Sequence, residues 1–190
     1  QNAAADISVC LNLGVNKNVI KRSLKKFSGV QRRMTKIFSK NQNEFYDDYA
    51  HHPTEIRSIL EGVKNVHKNK KIVSVFEPHR YSRVLSLKNE FAKSFKDSDM
   101  VLLCPIYEAG ERKNQKYNQY VFARSISKLS KTQVVIIKSQ NDLNRFLKKN
   151  SKYNEIIIGM GAGSISKWMK SLKTCLLYTS PRPRDDELSR

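Results

Sequence analysis

Five short runs rich in valine, isoleucine and aromatic residues alternate with stretches of helical periodicity, and this alternation restricts the fold more than any other feature of the chain. The runs are residues 44–50, 71–77, 100–106, 133–138 and 155–161. Strands covered on both faces have this continuous apolar character, and strands that alternate with helices form parallel sheets. The sequence therefore predicts an α/β fold with a mostly parallel sheet and flanking helices.

The segments between these runs have the periodicity of helices that lay one apolar stripe on a sheet. The stripes comprise Ile56, Ile59, Leu60 and Val63, then Val84, Leu87, Phe91 and Phe95, then Leu143, Phe146 and Leu147. Ahead of them, residues 34–39 and 44–48 flank the polar sequence KNQN, which predicts two strands joined by a turn.

The first thirty residues have a different character. Residues 2–13 and 18–27 predict two helices that stop at Gly14 and Gly29, since glycine commonly follows a helix. A helical pair this short cannot bury both of its faces. We therefore expect residues 1–31 to be the end of a domain whose remainder lies upstream.

The last sixteen residues also break the pattern. Residues 175–190 hold two of the five prolines and no periodic apolar face. They are predicted to be a non-native, disordered tail. Residues 32–174 are then the α/β domain.

The chain is strongly basic. Lysine and arginine total 36 against 17 acidic residues, a net charge of +19. Such a charge makes nucleic acid or an anionic membrane a candidate partner. The lysines are scattered, however, and are not interleaved with aromatic residues as in a groove that binds single strands. The pattern favours a solvated, lysine-rich surface without a nucleic-acid partner. A basic α/β module that binds nucleic acid stays open as an alternative function.

Two features bear on the compartment. No uninterrupted apolar stretch reaches the roughly 18 residues that a membrane span needs. The cysteines, Cys10, Cys104 and Cys175, are odd in number and widely spaced, which is typical of a reducing compartment. The sequence predicts a cytoplasmic protein without a membrane span.

Three polar clusters follow predicted strands: residues 47–56, 76–83 and 159–165. Open parallel sheets gather ligands at the carboxyl ends of their strands, so these clusters are candidate site segments. In the second cluster, Arg80 and Arg83 lie three residues apart with His79 beside them. Guanidinium groups bind carboxylate or phosphate in a bidentate manner, although a solvated helix start with surface ion pairs has the same pattern.

A metal site is the obvious alternative for the histidines. His51, His52 and His79, with Asp47 or Asp48, supply ligand types that metals accept. Adjacent histidines seldom bind one ion, however, and no HExxH or paired-cysteine spacing is present. The pattern favours hydrogen bonding in a substrate pocket and no metal in this chain.

The third cluster has Gly159, Gly161 and Gly163, which invites comparison with a dinucleotide-binding turn. That motif needs glycine where Ser164 stands, and too little chain follows to supply its acidic residue. No phosphate-binding GxxxxGK[ST] loop occurs in the sequence. The remaining interpretation is a tight turn that brings backbone amides and a helix N-terminus close to an anion.

Five motifs, in this order and spacing, resemble the C-terminal part of the Mur ligases: FSGVQRRM, DDYAHHPTEI, VFEPHRYSR, IYEAGE and GMGAGSI. The resemblance covers about residues 1–173. It implies that residues 1–31 end a central ATPase domain and that residues 32–174 are a Rossmann-like C-terminal domain that receives the amino acid.

The resemblance is to members that add L-alanine to UDP-N-acetylmuramate in peptidoglycan biosynthesis. It implies an ATP-dependent reaction through an acyl phosphate, with UDP-N-acetylmuramate, L-alanine and ATP as small-molecule substrates and Mg²⁺ bound in the missing part of the central domain. The fragment alone is expected to be inactive. The alternative within the family is the ligase that recycles murein tripeptide, which is expected to lack HRYSR and hence both Arg80 and Arg83.

The resemblance also implies residue roles. An L-alanine pocket is implied at Tyr49, His51, His79, Arg80 and Arg83, where the arginines hold the carboxylate and Tyr49 excludes larger side chains. No catalytic residue is implied in this chain.

ATP contacts are implied at Asn2 near the adenine, Arg33 at a phosphate and Asp48 at the ribose. The chain departs from the expected family pattern at two single positions and in the loop that follows Glu111, to which no function is assigned. Glu77 stands where glutamine is more common, and Ser164 where asparagine or aspartate is more common.

Overall fold

The structure is a computed structural model that describes residues 2–27 and 30–177, the side chain of Asn2 excepted. The chain divides at residue 31 into two compact units. The first contains helices α1 (Asn2–Asn12) and α2 (Lys17–Lys26). Gly14 follows α1 with a φ of +75°, the left-handed conformation that a helix stop requires. The predicted stop at Gly29 and residues 178–190 of the predicted tail lie outside the described residues. Residues 175–177, which the sequence assigned to a disordered tail, are instead the end of the helix Ile165–Leu177, where Leu176 is buried against the core.

The second unit is built on a six-stranded sheet. Its strands are β1 (Thr35–Lys40), β2 (Asn43–Asp48), β3 (Lys71–Phe76), β4 (Met100–Leu103), β5 (Gln133–Ile136) and β6 (Glu155–Met160). Their spatial order is β1-β2-β6-β3-β4-β5. β1 and β2 are antiparallel and joined by a tight turn, and the other four pairings are parallel. The predicted mostly parallel α/β fold is confirmed.

The helices of the second unit follow the strands. They are α3 (Pro53–Val66), α4 (Tyr81–Ser86), α5 (Lys88–Ala92), α6 (Gln119–Ser130), α7 (Gln140–Asn150) and α8 (Ile165–Leu177). The predicted stripe from Val84 to Phe95 is divided, because Leu87 has φ −113° and ψ 25°, which ends α4 before α5 begins. None of the helices among these described residues is long and apolar enough to cross a membrane.

Apolar side chains cover both faces of the sheet. Ile156 and Ile158 of β6 belong to a cluster with residues of α3, α5 and α6, whereas Ile157 belongs to a cluster with residues of α7 and α8. Successive side chains of a strand point to opposite faces, so the two clusters are the two sides of one sheet. This burial on both faces explains why the strands read as continuous apolar runs.

The register of the central strands determines where the polar clusters meet. Met160, the last residue of β6, pairs with Asp48 at the end of β2 and with Phe76 at the end of β3. Three neighbouring strands therefore end at the same level. The three segments that sequence analysis selected leave the sheet side by side at its carboxyl edge.

Candidate functional site

The segment after β2 is held by the start of α3. His52 is the N-cap of α3 and Pro53 occupies its first turn. The Glu55 carboxylate accepts hydrogen bonds from the backbone N–H groups of His51 (3.0 Å) and His52 (3.2 Å). Tyr49 and His51 lie with their ring centroids 5.1 Å apart, and Nδ1 of His51 is 2.9 Å from the Tyr49 carbonyl oxygen. The helix cap thus fixes the backbone that presents both rings.

The segment after β3 is strained. Arg80 has a φ of +67° and a ψ of 130°, a conformation that non-glycine residues rarely adopt. Its backbone N–H donates to the Tyr107 carbonyl oxygen (2.9 Å), and the Tyr107 N–H donates to the Pro78 carbonyl oxygen (2.7 Å). The Arg80 side chain itself is exposed.

The loop after β4 contacts the start of α4 through side chains as well. The Tyr81 hydroxyl donates to Glu108 (2.8 Å), and the backbone N–H and the hydroxyl of Ser82 both donate to Glu111 (3.0 and 2.5 Å). The motifs PHRYSR and IYEAGE, which lie far apart in sequence, are therefore one structural assembly.

The two histidine-bearing segments meet. The ring centroids of His51 and His79 are 5.7 Å apart, and Nη1 of Arg83 lies 3.3 Å from Nδ1 of His79. Burial lowers the pKa of His79, and the positive charge of Arg83 lowers it further. A neutral His79 imidazole accepts the hydrogen bond that the Arg83 guanidinium donates. Of the five residues predicted for one pocket, Tyr49, His51, His79 and Arg83 are linked in this way.

The residues predicted to contact ATP differ in exposure. The Arg33 side chain is 54% exposed and its Nη1 lies 4.0 Å from Oε1 of Glu55. Asp48 is buried, and its two carboxylate oxygens accept the backbone N–H groups of Met34 and Ala50, each at 2.7 Å. Burial raises the pKa of Asp48. The side chain of Asn2 lies outside the described residues.

Arg32 has contacts that the sequence did not predict. Its Nη2 donates to the Gly161 carbonyl oxygen (2.5 Å), its Nε lies 3.6 Å from Oδ2 of Asp47, and its guanidinium carbon is 4.7 Å from the centroid of the Tyr49 ring. Asp47 is buried and accepts a hydrogen bond from the Ser166 hydroxyl (2.6 Å). Arg32 thus ties the segment before β1 to the ends of β2 and β6. No pattern in the sequence separates it from the adjacent Arg33.

The glycine-containing turn before α8 brings the start of that helix close to an anion, as predicted, but the anion is a carboxylate of the protein itself. Oε1 of Glu77 accepts from the backbone N–H (3.1 Å) and the hydroxyl (2.5 Å) of Ser164, immediately before α8. Glu77 is only 3% exposed, and burial raises its pKa. The glycines serve close approach: a Cβ on Gly163 would lie 2.3 Å from Cγ of Tyr107, and one on Gly159 2.3 Å from Cγ of Met169.

Among residues 2–27 and 30–177, no three His, Cys, Asp or Glu side chains form a group that could hold a metal ion. The histidines that sequence analysis considered as ligands have other contacts. His51 and His79 face each other beside Arg83, and Nδ1 of His52 accepts from the Thr54 backbone N–H (3.4 Å) at the start of α3.

Comparison with known proteins identifies the family of this chain. Residues 32–163 match the family described as Mur ligase, glutamate ligase domain. The chain belongs to the Mur ligase family. A Mur ligase from Pelagibacter ubique, named UDP-N-acetylmuramate–L-alanine ligase, is 47% identical over 90% of this chain. One from Hydrogenobaculum sp. with the same name is 41% identical over 88% of it.

Solved Mur ligase structures agree with the fold. The UDP-N-acetylmuramate–alanine ligase MurC of Thermotoga maritima superposes with a TM-score of 0.77 at 26% identity over 94% of this chain. A murein peptide ligase from Psychrobacter arcticus superposes with a TM-score of 0.69 at 22% identity over 95% of it. The chain spans 37% and 36% of the lengths of its two curated relatives and 37% of each solved chain.

Proposed function

We propose that this chain supplies the amino-acid-binding part of an ATP-dependent ligase that joins L-alanine to the carboxylate of UDP-N-acetylmuramate. The observation that carries the proposal is the meeting of Arg83, His79 and His51 beside Tyr49 at the carboxyl edge of the sheet. The names of the curated relatives, which match about nine-tenths of the chain, support the same substrates.

Arg80 and Arg83 are the proposed partners of the alanine carboxylate. A guanidinium group has five N–H donors in a planar fork, so Arg83 can donate one to His79 and still offer others to a carboxylate. The lowered pKa of His79 keeps its imidazole neutral at pH 7, which preserves this bond. Tyr49 and His51 bound the space beside it and favour a methyl side chain over larger ones.

ATP is proposed to contact Asn2, Arg33 and Asp48. The exposure of Arg33 leaves its guanidinium free to meet a phosphate. Asp48 has about four lone-pair sites, of which backbone amides take two, so a ribose hydroxyl would use the others. Mg²⁺ is proposed to bind in the central ATPase domain of the whole enzyme, as the family resemblance implies.

The chemistry explains why such a domain is needed. A carboxylate is a poor electrophile until phosphorylation gives it a leaving group, and the remaining task is to hold the amine of the second substrate in line with it. Fixing the alanine carboxylate with two arginines leaves the amine as the free end. The contribution of this chain is thus orientation, with no catalytic residue of its own.

The test uses a chimera in which residues 32–177 replace the matching segment of the Pelagibacter ubique relative. Arg83→Ala removes charge-assisted hydrogen bonds of about 1.5–3 kcal/mol, which is about 10- to 150-fold in KM for L-alanine. The KM for ATP is expected to stay within about twofold. Arg33→Ala is the matched control, with the opposite pattern: a raised KM for ATP and an unchanged KM for L-alanine.

Equal effects of Arg83→Ala on both KM values would contradict the pocket assignment. The family alternative is tested by offering murein tripeptide in place of L-alanine. A chimera that turns over tripeptide and not L-alanine, or neither, would overturn the proposal.

A further inference from the structure

Tyr107 lies at the centre of the candidate site, although neither the sequence nor the proposed function gives it a role. It follows β4 and pairs with His79 in a parallel β-bridge. Its side chain is 42% exposed, so burial in the core does not account for its position.

The backbone of Tyr107 supports the strained segment. Its N–H donates to Pro78 and its carbonyl oxygen accepts from Arg80, so the two bonds flank His79 and the second holds the N–H of the residue with positive φ. Strained backbone persists only where surrounding contacts overdetermine it. These two hydrogen bonds supply such contacts, and they do not depend on the side chain at position 107.

The ring of Tyr107 has two separate contacts. It stacks on His79 with the ring centroids 5.5 Å apart and the planes 20° from parallel. It also lies against Gly163, where a Cβ atom would lie 2.3 Å from Cγ and 2.6 Å from Cδ2 of the ring. The ring can take this position beside the turn before α8 only because residue 163 has no side chain.

We propose that Tyr107 is a positioning residue of the amino-acid site: its ring, seated on Gly163, holds the His79 imidazole where it accepts a hydrogen bond from Arg83. Tyr107 thereby acts on Arg83 indirectly: it fixes His79, and the hydrogen bond to His79 orients the Arg83 guanidinium toward the alanine carboxylate. The identity of the substrate rests on the proposed function, whereas the support of His79 by Tyr107 rests on the ring contacts alone. The charged and titratable groups near His79 are Arg80, Arg83, His51 and Glu111.

The experiment compares Tyr107→Ala with Tyr107→Phe, which keeps the stacking ring. In the 190-residue chain, the pKa of His79 is measured by NMR titration of its imidazole nitrogens. Loss of the ring exposes His79 to water, so the Ala variant is expected to raise its pKa toward the ordinary value, and the Phe variant to keep the wild-type pKa. In the chimera, Tyr107→Ala is expected to raise the KM for L-alanine about tenfold with kcat and the KM for ATP within about threefold.

Gly163→Ala also displaces the ring while Tyr107 remains, because its methyl group would clash with the ring, and in addition with Oε2 of Glu77 (2.5 Å). It is expected to reproduce the pKa change of Tyr107→Ala. Gly62→Ala is its control, since a Cβ there meets no atom within 4 Å.

The two proposals fail in different ways. An unchanged His79 pKa and an unchanged KM for L-alanine in Tyr107→Ala would overturn the positioning role even if L-alanine is the substrate. A variant that loses thermal stability without either change would also overturn it. Failure of the chimera to use L-alanine, with the pKa change intact, would refute the proposed function and leave the support of His79 by Tyr107 in place.

Discussion

At the scale of single residues, Glu77 and Ser164 are the two single-position departures from the pattern that the family resemblance led us to expect, and the structure joins them by a hydrogen bond. A carboxylate accepts from the serine hydroxyl and from the backbone N–H of the same residue. Each departure is unremarkable alone. Together they form one contact that connects the end of β3 to the start of α8.

Burial raises the pKa of Glu77, which gives a prediction with a definite sign. A carboxyl whose folded pKa lies above its unfolded pKa favours the folded state at low pH, and this contribution is lost as pH rises through the folded pKa. Glu77→Gln has no such dependence. The Tm of the Gln variant minus that of the wild type is expected to increase from pH 4 to pH 8, measured by calorimetry. A difference that is constant or decreases would contradict the burial argument.

Arg32 and Arg33 are neighbours with different predicted effects. Arg32→Ala removes the hydrogen bond to Gly161 and the cation next to buried Asp47, which is expected to lower the free energy of unfolding by about 1.5–3 kcal/mol. Arg33→Ala, at an exposed side chain, is expected to change it by less than about 0.5 kcal/mol. Urea unfolding of the two variants measures both values. Equal decreases in the free energy of unfolding would show that the contacts of Arg32 stabilise the fold no more than those of Arg33.

The same pair shows how far sequence reasoning reaches at this scale. The family resemblance implied a pocket of Tyr49, His51, His79, Arg80 and Arg83, and residue type and loop position alone selected only the segments that carry them. The structure links four of the five by contacts, and the pocket stays a prediction. The bond from Arg32 to Gly161 spans 129 positions of sequence, and local patterns carry no information about such a pairing. The stacking of Tyr107 on His79 escaped prediction for the same reason.

At the scale of elements, α6 shows why one helix escaped prediction. Phe122 and Ile126 are buried, as a stripe requires, but Tyr120 and Val121 on the same helix are 66% and 49% exposed. These outward apolar residues widen the stripe until its period is hard to recognise. The helices with cleaner stripes, α3 and α7, were predicted.

Two glycines in different elements give opposite predictions. Gly62 lies inside α3, where a Cβ meets nothing within 4 Å, so Gly62→Ala is expected to stabilise the chain by about 0.5–1 kcal/mol through helix propensity. Gly159 lies inside β6 against Met169 of α8, and Gly159→Ala is expected to cost about 1–3 kcal/mol by overpacking. Chemical denaturation distinguishes them. Stabilisation by both substitutions would mean that Met169 moves aside freely.

At the scale of the whole molecule, the net charge of +19 is spread over the surface. Exposed lysine pairs lie in separate units, Lys25–Lys26 in α2 and Lys148–Lys149 in α7. We expect binding to duplex DNA to be weak and to fall with salt, and substitution of either pair by glutamate to reduce it to a similar degree. Salt-dependent fluorescence anisotropy measures this. Loss of all binding through one pair alone would instead indicate a localised nucleic-acid site.

The strand that aligns the candidate site is also the last to be made. The proposed pocket segments follow β2 and β3, which are not paired with each other. β6 lies between them, and its Met160 pairs with the final residue of each. On the ribosome, the nascent chain exposes Tyr49 and Arg83 long before residues 155–160 emerge. Until then the two segments lack the strand that lies between them, so we expect the proposed amino-acid pocket to form only after residues 155–160 have been translated.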